Sequence, residues 1–264
     1  MTIATEGRID ARLDDRGVAS VVIDNAARLN ALGSGLLGDF VRAMAELSGE
    51  PTLRAVVVTG AGERAFVGGA DIREMALIDG PDAARNFITG VHRACAAVRA
   101  CPVPVIARIQ GYCFGAGLEL AAACDFRIAS EMAELGMPEV RLGIPSVVEA
   151  ALLPALIGWG RTRRLLLTGE TIDAECALLW GLVEGVASAD ELDAAVDACV
   201  ADILACGPAA IRQQKALIAA WETLPLVQAI AAGVEAFADA YRGDEPKRMM
   251  AEFLAAQAAR KAQR

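Results

Sequence analysis

Residues 111–120 read Gly111-Tyr112-Cys113-Phe114-Gly115-Ala116-Gly117-Leu118-Glu119-Leu120, and the reading of the whole chain turns on them. Residues 103–109 before them are largely apolar and strand-like, and Gly111 stops the run; residues 117–123 read as a helix. A strand that ends in a glycine-rich loop and enters a helix leaves the first helical N–H groups unpaired, at the positive end of the helix dipole. An earlier segment has the same build. The β-branched run 55–59 ends in Gly60-Ala61-Gly62-Glu63-Arg64-Ala65-Phe66-Val67-Gly68-Gly69-Ala70-Asp71-Ile72. Taken singly, each loop is either a tight connection or a cradle, because glycine lets a ligand approach the backbone. Facing each other, two such loops can aim two N–H donors at one developing oxyanion.

Working outward, Arg8–Leu13 and Val18–Asp24 flank the turn Asp14-Asp15-Arg16-Gly17 and read as a hairpin. Residues 34–47 carry Leu37, Phe40, Val41, Met44 and Leu47 at helical spacing. Residues 82–98 read as a helix ending near Cys101-Pro102, and 125–129 as a strand. Strands alternating with helices predict an α/β architecture. Beyond Val147 helical signals dominate: 190–205, closed by Gly207-Pro208, then 209–220, 227–241 and 246–261. The expected organisation is an α/β body over residues 1–195 and a helical part over 196–264.

Composition excludes several function classes. The net charge is −9, which argues against nucleic acid as a partner and requires a local basic patch for any anionic substrate. Seven cysteines, with no CxxC pair, read as small buried residues of a reducing compartment. Residues 1–15 are too polar and acidic for a leader, and no run of 18 apolar residues predicts a membrane span; the expected location is the cytoplasm. The single histidine, His92, lies in a helical stretch and reads as an ordinary helix residue, so no histidine-rich metal site exists and no metal is expected. There is no P-loop and no GxSxG elbow. Gly33-Ser34-Gly35-Leu36-Leu37-Gly38 matches GxGxxG, but a polar, turn-like segment precedes it where a dinucleotide fold needs a strand.

Two carboxylates remain. Glu119 sits in the first turn of an otherwise apolar helix, as a dipole partner or as a reacting group. Glu139 sits in the loop Gly136-Met137-Pro138-Glu139-Val140-Arg141-Leu142-Gly143-Ile144-Pro145, as a surface acid paired with Arg141 or as a second reacting group. They become chemistry if they meet.

At these residues the chain resembles the enoyl-CoA hydratase/isomerase (crotonase) family. The resemblance runs in order through Leu29-Asn30-Ala31-Leu32, Ala65-Phe66-Val67-Gly68-Gly69-Ala70-Asp71-Ile72, residues 111–121, Cys124-Asp125, Pro138-Glu139, Leu142-Gly143-Ile144-Pro145, Thr168-Gly169-Glu170, Ala177 and Trp180-Gly181-Leu182-Val183. It implies a crotonase-like spiral of repeated ββα units with a C-terminal helical region that serves oligomerisation and covers the site, in homotrimers or hexamers. It implies that the N–H groups of Ala70 and Ala116 hold a thioester oxygen. It further implies that Glu119 helps activate a water for attack at C3 while Glu139 mediates proton delivery to C2. Arg28, Leu29, Ala31, Gly68, Gly69, Asp71, Ile72, Gly115 and Gly117 are the implied substrate-binding positions. No separate cofactor is implied, since coenzyme A is part of the acyl-CoA substrate.

Two departures stand out. A typical hydratase is glycine-rich after the position of Pro145; here Ser146-Val147-Val148-Glu149-Ala150-Ala151 follows, and Glu149 reads as a helix-start acid or as a pocket group, the former preferred. The usual basic residue soon after Phe253 is missing, leaving Arg28, Lys215, Lys247, Arg248 and the pair Arg260-Lys261 as candidates for CoA phosphate. Retention of both glutamates points to an enoyl-CoA hydratase. The alternatives are isomerisation, carbon–carbon cleavage or hydrolysis of another acyl-CoA, and acyl-CoA binding without turnover.

Overall fold

A computed structural model of the protein describes residues 7–262. Residues 1–6, on which the leader reading partly rests, lie outside the described residues. The chain divides into two units, Met1–Val200 and Ala201–Arg264.

The first unit opens on β1 (Arg8–Leu13), β2 (Val18–Asp24) and α1 (Ser34–Ser48). Then come β3 (Ala55–Gly60), β4 (Ala65–Val67), α2 (Ile72–Met75) and α3 (Gly80–Ala100). The pattern recurs as β5 (Val105–Ile109), β6 (Tyr112–Phe114) and α4 (Ala116–Ala123), and again as β7 (Phe126–Ser130) and β8 (Glu134–Gly136). A six-stranded sheet has the order β1-β2-β3-β5-β7 with β10 (Gly185–Ala187) at its edge; β1 runs antiparallel to β2 and the other pairs are parallel. A four-stranded sheet has the order β4-β6-β8-β9, where β9 (Thr171–Asp173) is antiparallel to β8. From β3 to β8 each repeat therefore gives one strand to each sheet, whereas β1 and β2 both join the larger one, and the chain winds as a spiral. Parallel neighbours need crossovers, which the helices supply while covering the sheet faces.

The corner between the two strands of a repeat is tight. Gly111 has φ +78°, and a Cβ there would sit 2.3 Å from the Arg64 carbonyl oxygen, so only glycine fits. Buried amides tie these corners together. Gln110 Nε2 reaches the carbonyls of Gly60 (2.6 Å), Ala65 (3.0 Å) and Gly62 (3.1 Å), and its Oε1 accepts the Thr59 hydroxyl at 2.9 Å. Asn30, fully buried, donates through Nδ2 to Ala65 O (2.9 Å) and Ala61 O (3.0 Å) and accepts the Asn25 N–H (3.0 Å). Backbone groups that leave one sheet before entering the next would otherwise be orphaned inside the protein.

The core fills the space among these layers, with Phe40, Phe66, Ile109, Leu118 and Leu120 fully buried. Cys95, Cys101, Cys113 and Cys124 belong to it. The expectation that all seven thiols are buried fails for three: Cys176 and Cys199 are half-buried and Cys206 is exposed. The helical expectation beyond Val147 is met by α5 (Leu153–Thr168), α6 (Ala174–Trp180) and α7 (Leu192–Leu204), but β9 and β10 interrupt it. These strands, like β4, β6 and β8, have three residues each, too few to show a period.

The second unit holds α8 (Pro208–Trp221), α9 (Leu226–Ala240) and α10 (Glu245–Ala262). The Glu245 carboxylate accepts the N–H groups of Ala209 (3.1 Å) and Ala210 (2.9 Å), closing the start of α8, and Trp221 Nε1 donates to Ala229 O at 3.0 Å. Among the described residues no single helix is long and apolar enough to cross a membrane.

Gln110→Ala removes the side-chain donor from the buried Gly60 carbonyl and leaves Ala65 O with Asn30 alone. It is expected to lower unfolding free energy by about 1–3 kcal/mol, the cost of one buried polar group that water does not reach. Urea denaturation with an unchanged midpoint would show that the corner does not depend on this amide.

Candidate active site

Every residue of α4 is buried, because its alanines and leucines pack on all sides. Glu119 is its fourth residue and is carried into the interior with it, 4% exposed. Its Oε1 accepts the N–H of Ala150 at 3.3 Å, and the Val147 N–H also bonds to this carboxyl. Glu139 arrives from another element. Pro138 starts a short 3-10 turn, Glu139–Leu142, that Gly143 ends in the left-handed region. Ser146 donates its hydroxyl to Glu139 Oε2 at 2.7 Å. Gly115, with φ +52°, leaves room for this acid: a Cβ there would lie 2.5 Å from Glu139 Oε1.

The two carboxyls line one cavity of about 670 Å³, where among the described residues they are the only acids and Arg85 the only basic residue. The rest is apolar or backbone, including Met75, Ile88 and Val91 from α2 and α3. Burial first, then the Glu139 carboxylate, push Glu119 up to about 8; Glu149 adds to the rise, and the N–H groups of Ala150 and Val147 oppose it. A group so placed holds its proton at neutral pH.

Ala70 and Ala116 line the same cavity. Leu32 pairs with Ala70 in a parallel bridge, in which the Leu32 N–H bonds to Gly69 O and the Asp71 N–H bonds to Leu32 O, both at 2.9 Å. That pattern turns the N–H of Ala70 itself to the other side. Ala116 is the first residue of α4, where a helix makes no use of its N–H.

Of the other positions expected from sequence, Gly68, Gly69, Ile72 and Gly115 line the cavity. The structure brings Gly117 elsewhere: it packs so closely on β4 that a Cβ would lie 2.2 Å from Val67 O. Arg28, Leu29, Ala31 and Asp71 also lie outside the lining. Arg28 Nη1 pairs with Asp71 Oδ2 at 3.2 Å, Asp71 caps α2 by accepting the Arg73 N–H at 2.8 Å, Leu29 O accepts the Gly68 N–H at 2.8 Å, and Ala31 O accepts Asn25 Nδ2 at 2.9 Å. They hold the loop that carries Ala70.

Sequence reasoning missed three contributors. The inward face of α3 has helical spacing at Ala84, Ile88 and Val91, but the pattern does not say what it faces. Ser146 carries no signal. Glu149 stands in the first turn of a short 3-10 helix and His92 on α3, as read from the sequence, but Glu149 is buried and lies 2.8 Å from His92 Nδ1, a pairing the sequence does not signal.

A family model described as enoyl-CoA hydratase/isomerase matches residues 14–261. The chain is 34% identical to a short-chain-enoyl-CoA hydratase of Clostridium acetobutylicum, over 90% of this chain and 91% of that protein. It is 33% identical to a crotonyl-CoA hydratase of Syntrophomonas wolfei, with the same coverage of 90% and 91%. Among solved structures, an enoyl-CoA hydratase from Bacillus anthracis is similar with a TM-score of 0.90 at 31% identity, covering 94% of this chain and 96% of that one. One from Mycobacterium smegmatis reaches 0.91 at 27% identity, again over 94% and 96%.

Because the folded chain keeps Glu119 protonated up to about 8 while the unfolded chain ionises it in the ordinary carboxylate range, stability from this group is full at low pH and lost as pH rises toward 8. Glu119→Gln removes that loss. Thermal melts should show the variant gaining on the parent protein between about pH 5 and 8; a gap independent of pH would contradict a buried, neutral Glu119.

Proposed function

The chain belongs to the enoyl-CoA hydratase/isomerase family, and from that premise we propose that it is an enoyl-CoA hydratase, adding water reversibly across the C2=C3 bond of a 2-enoyl-CoA. The observation that carries this reading is that Glu119 and Glu139 line one largely apolar cavity together with the backbone of Ala70 and Ala116. The N–H groups of Ala70 and Ala116 take the thioester oxygen and stabilise the negative charge that grows there as water attacks. The two carboxyls hold the attacking water between them. Glu119 helps activate it toward C3, and Glu139 mediates proton delivery to C2.

For that step the pair must hold one proton, on one member, and leave the other as acceptor. Before substrate binds, the proton rests on Glu119, the more deeply buried of the two; the bridging water lets it pass to Glu139 as the water is activated. The names of the relatives support hydration over isomerisation, as does the presence of both acids. The homotrimer or hexamer implied by the resemblance is supported by the apolar side chains that α9 exposes on one face, Leu226, Val227, Ile230, Val234 and Phe237, where copies of the chain can meet.

Crotonyl-CoA hydration tests the proposal. Glu119→Gln and Glu139→Gln are each expected to lower kcat by about 10²–10⁴-fold, the usual contribution of a positioned acid or base. In the wild-type protein kcat/KM is expected to fall above about pH 8, where the shared proton is lost. Unchanged turnover in both variants would refute the mechanism. Activity confined to dienoyl or β-dicarbonyl thioesters in a substrate panel would favour another reaction of the family.

A further inference from the structure

A third acid stands behind the pair. Glu149 lies in the short turn Val148–Leu152, and its side chain is 9% exposed. Oε1 lies 2.8 Å from His92 Nδ1, while Oε2 is buried with no nitrogen or oxygen partner among the described residues; the Cys95 thiol also bonds this carboxyl. A carboxylate in that position selects the tautomer with the proton on Nδ1, so the imidazole donates. His92, on α3, is 55% exposed. The couple therefore runs from the solvent edge into the interior, which a helix-surface ion pair would not do.

Two observations connect it with Glu119. The N–H groups that bond the Glu119 carboxyl come from Val147 and Ala150, on either side of Glu149. Between them Val148 has φ +36°, a left-handed conformation that a β-branched side chain adopts only under constraint. That constraint is supplied by the segment's ends: Glu149 is tied to α3 through His92, and the flanking amides are tied to α4 through Glu119. The titratable groups facing the cluster are His92 and Cys95 from α3, Glu119 from α4 and Glu139 from the turn after β8. Burial first, then the carboxylates of Glu149 and Glu119, push the Cys95 thiol well up, so it stays neutral and offers no compensating charge.

We infer that Glu149, held by His92, is a positioning residue that acts on the reaction through Glu119: its negative charge keeps the proton on Glu119, and the backbone it anchors aims the Glu119 carboxyl. The inference rests on the reading of Glu119 as one of the two reacting acids. Like charges in one buried site resist being ionised together, so a neutral residue 149 lets Glu119 give up its proton at lower pH. Loss of the His92 donor acts in the same direction, because it leaves the Glu149 carboxyl with the Cys95 thiol, a weak donor, as its remaining side-chain partner.

The test is the pH dependence of kcat/KM for crotonyl-CoA in the wild type, Glu149→Gln, Glu149→Asp and His92→Ala. The basic limb is expected to move to lower pH by about half a unit or more in Glu149→Gln. It should move the same way in His92→Ala and return toward the wild-type position in Glu149→Asp. A limb that stays in place in folded Glu149→Gln and His92→Ala overturns the inference, including where kcat falls equally at all pH. If Glu149→Gln does not fold, His92→Ala alters a half-exposed side chain and decides the same question. If the wild-type protein hydrates no enoyl-CoA, the hydratase reading fails separately, and the thermal readout decides here. The melting gap between Glu119→Gln and its parent must open at lower pH in a Glu149→Gln background; an unshifted gap overturns the inference.

Discussion

A carboxyl group taken out of water resists ionisation, and the site is organised around one such group. Glu119 enters the interior on a helix that has no exposed face. Its place in the first turn works against the result, because the dipole there favours a negative charge, but that contribution is about 0.3–1 kcal/mol, less than one pKa unit. Burial and the neighbouring carboxylate outweigh it and take Glu119 from 4.5 to about 8. The outcome is a proton stored inside an apolar cavity at neutral pH, next to a second acid on an independent element. The proposed hydration needs that combination, since water must lose a proton on one side while carbon gains one on the other.

On the proposed reading, the remainder of the first unit serves the placement of two backbone N–H groups and two carboxyls. Oxyanion stabilisation weakens with small displacements, so the donors must be fixed by the fold and not by flexible side chains. Ala70 is fixed by the bridge to Leu32 and by the loop that Arg28, Asp71 and Leu29 brace. Ala116 is fixed by the corner in which Gly111 and Gln110 turn the chain out of one sheet and into the next. Gly115 links the two requirements: the absence of its side chain is what admits the Glu139 carboxyl.

Much of this was legible in the sequence because it depends on local rules. The alternation of β-branched runs with amphipathic helices marked the longer strands and helices, and the glycine loops before helix starts marked Ala70 and Ala116. Glu119 and Glu139 were nameable as isolated acids, but nothing in their spacing showed convergence, which follows from the spiral bringing α4 and the turn after β8 together. The strands of three residues had no readable period. Gly117 was assigned to the ligand from its motif, although its smallness serves the close approach of α4 to Val67. Glu149 stands at a helix start as its position suggested, but its burial was not legible, for a different reason. An acid near a helix start is ordinarily a solvated dipole partner, and its burial depends on His92, 57 residues earlier, and on the left-handed backbone of Val148, neither of which a local pattern reveals.

The central claim is spatial: a thioester oxygen and the adjacent C2–C3 bond fit between two N–H groups on one side and two carboxyls on the other. A crystal structure with an unreactive acyl-CoA bound measures this most directly. The account predicts the thioester oxygen within hydrogen-bonding distance of both the Ala70 and Ala116 N–H groups, with Glu119 and Glu139 flanking the C2–C3 bond. A thioester bound away from those amides, or an acyl group that one of the carboxyls does not approach, would contradict it.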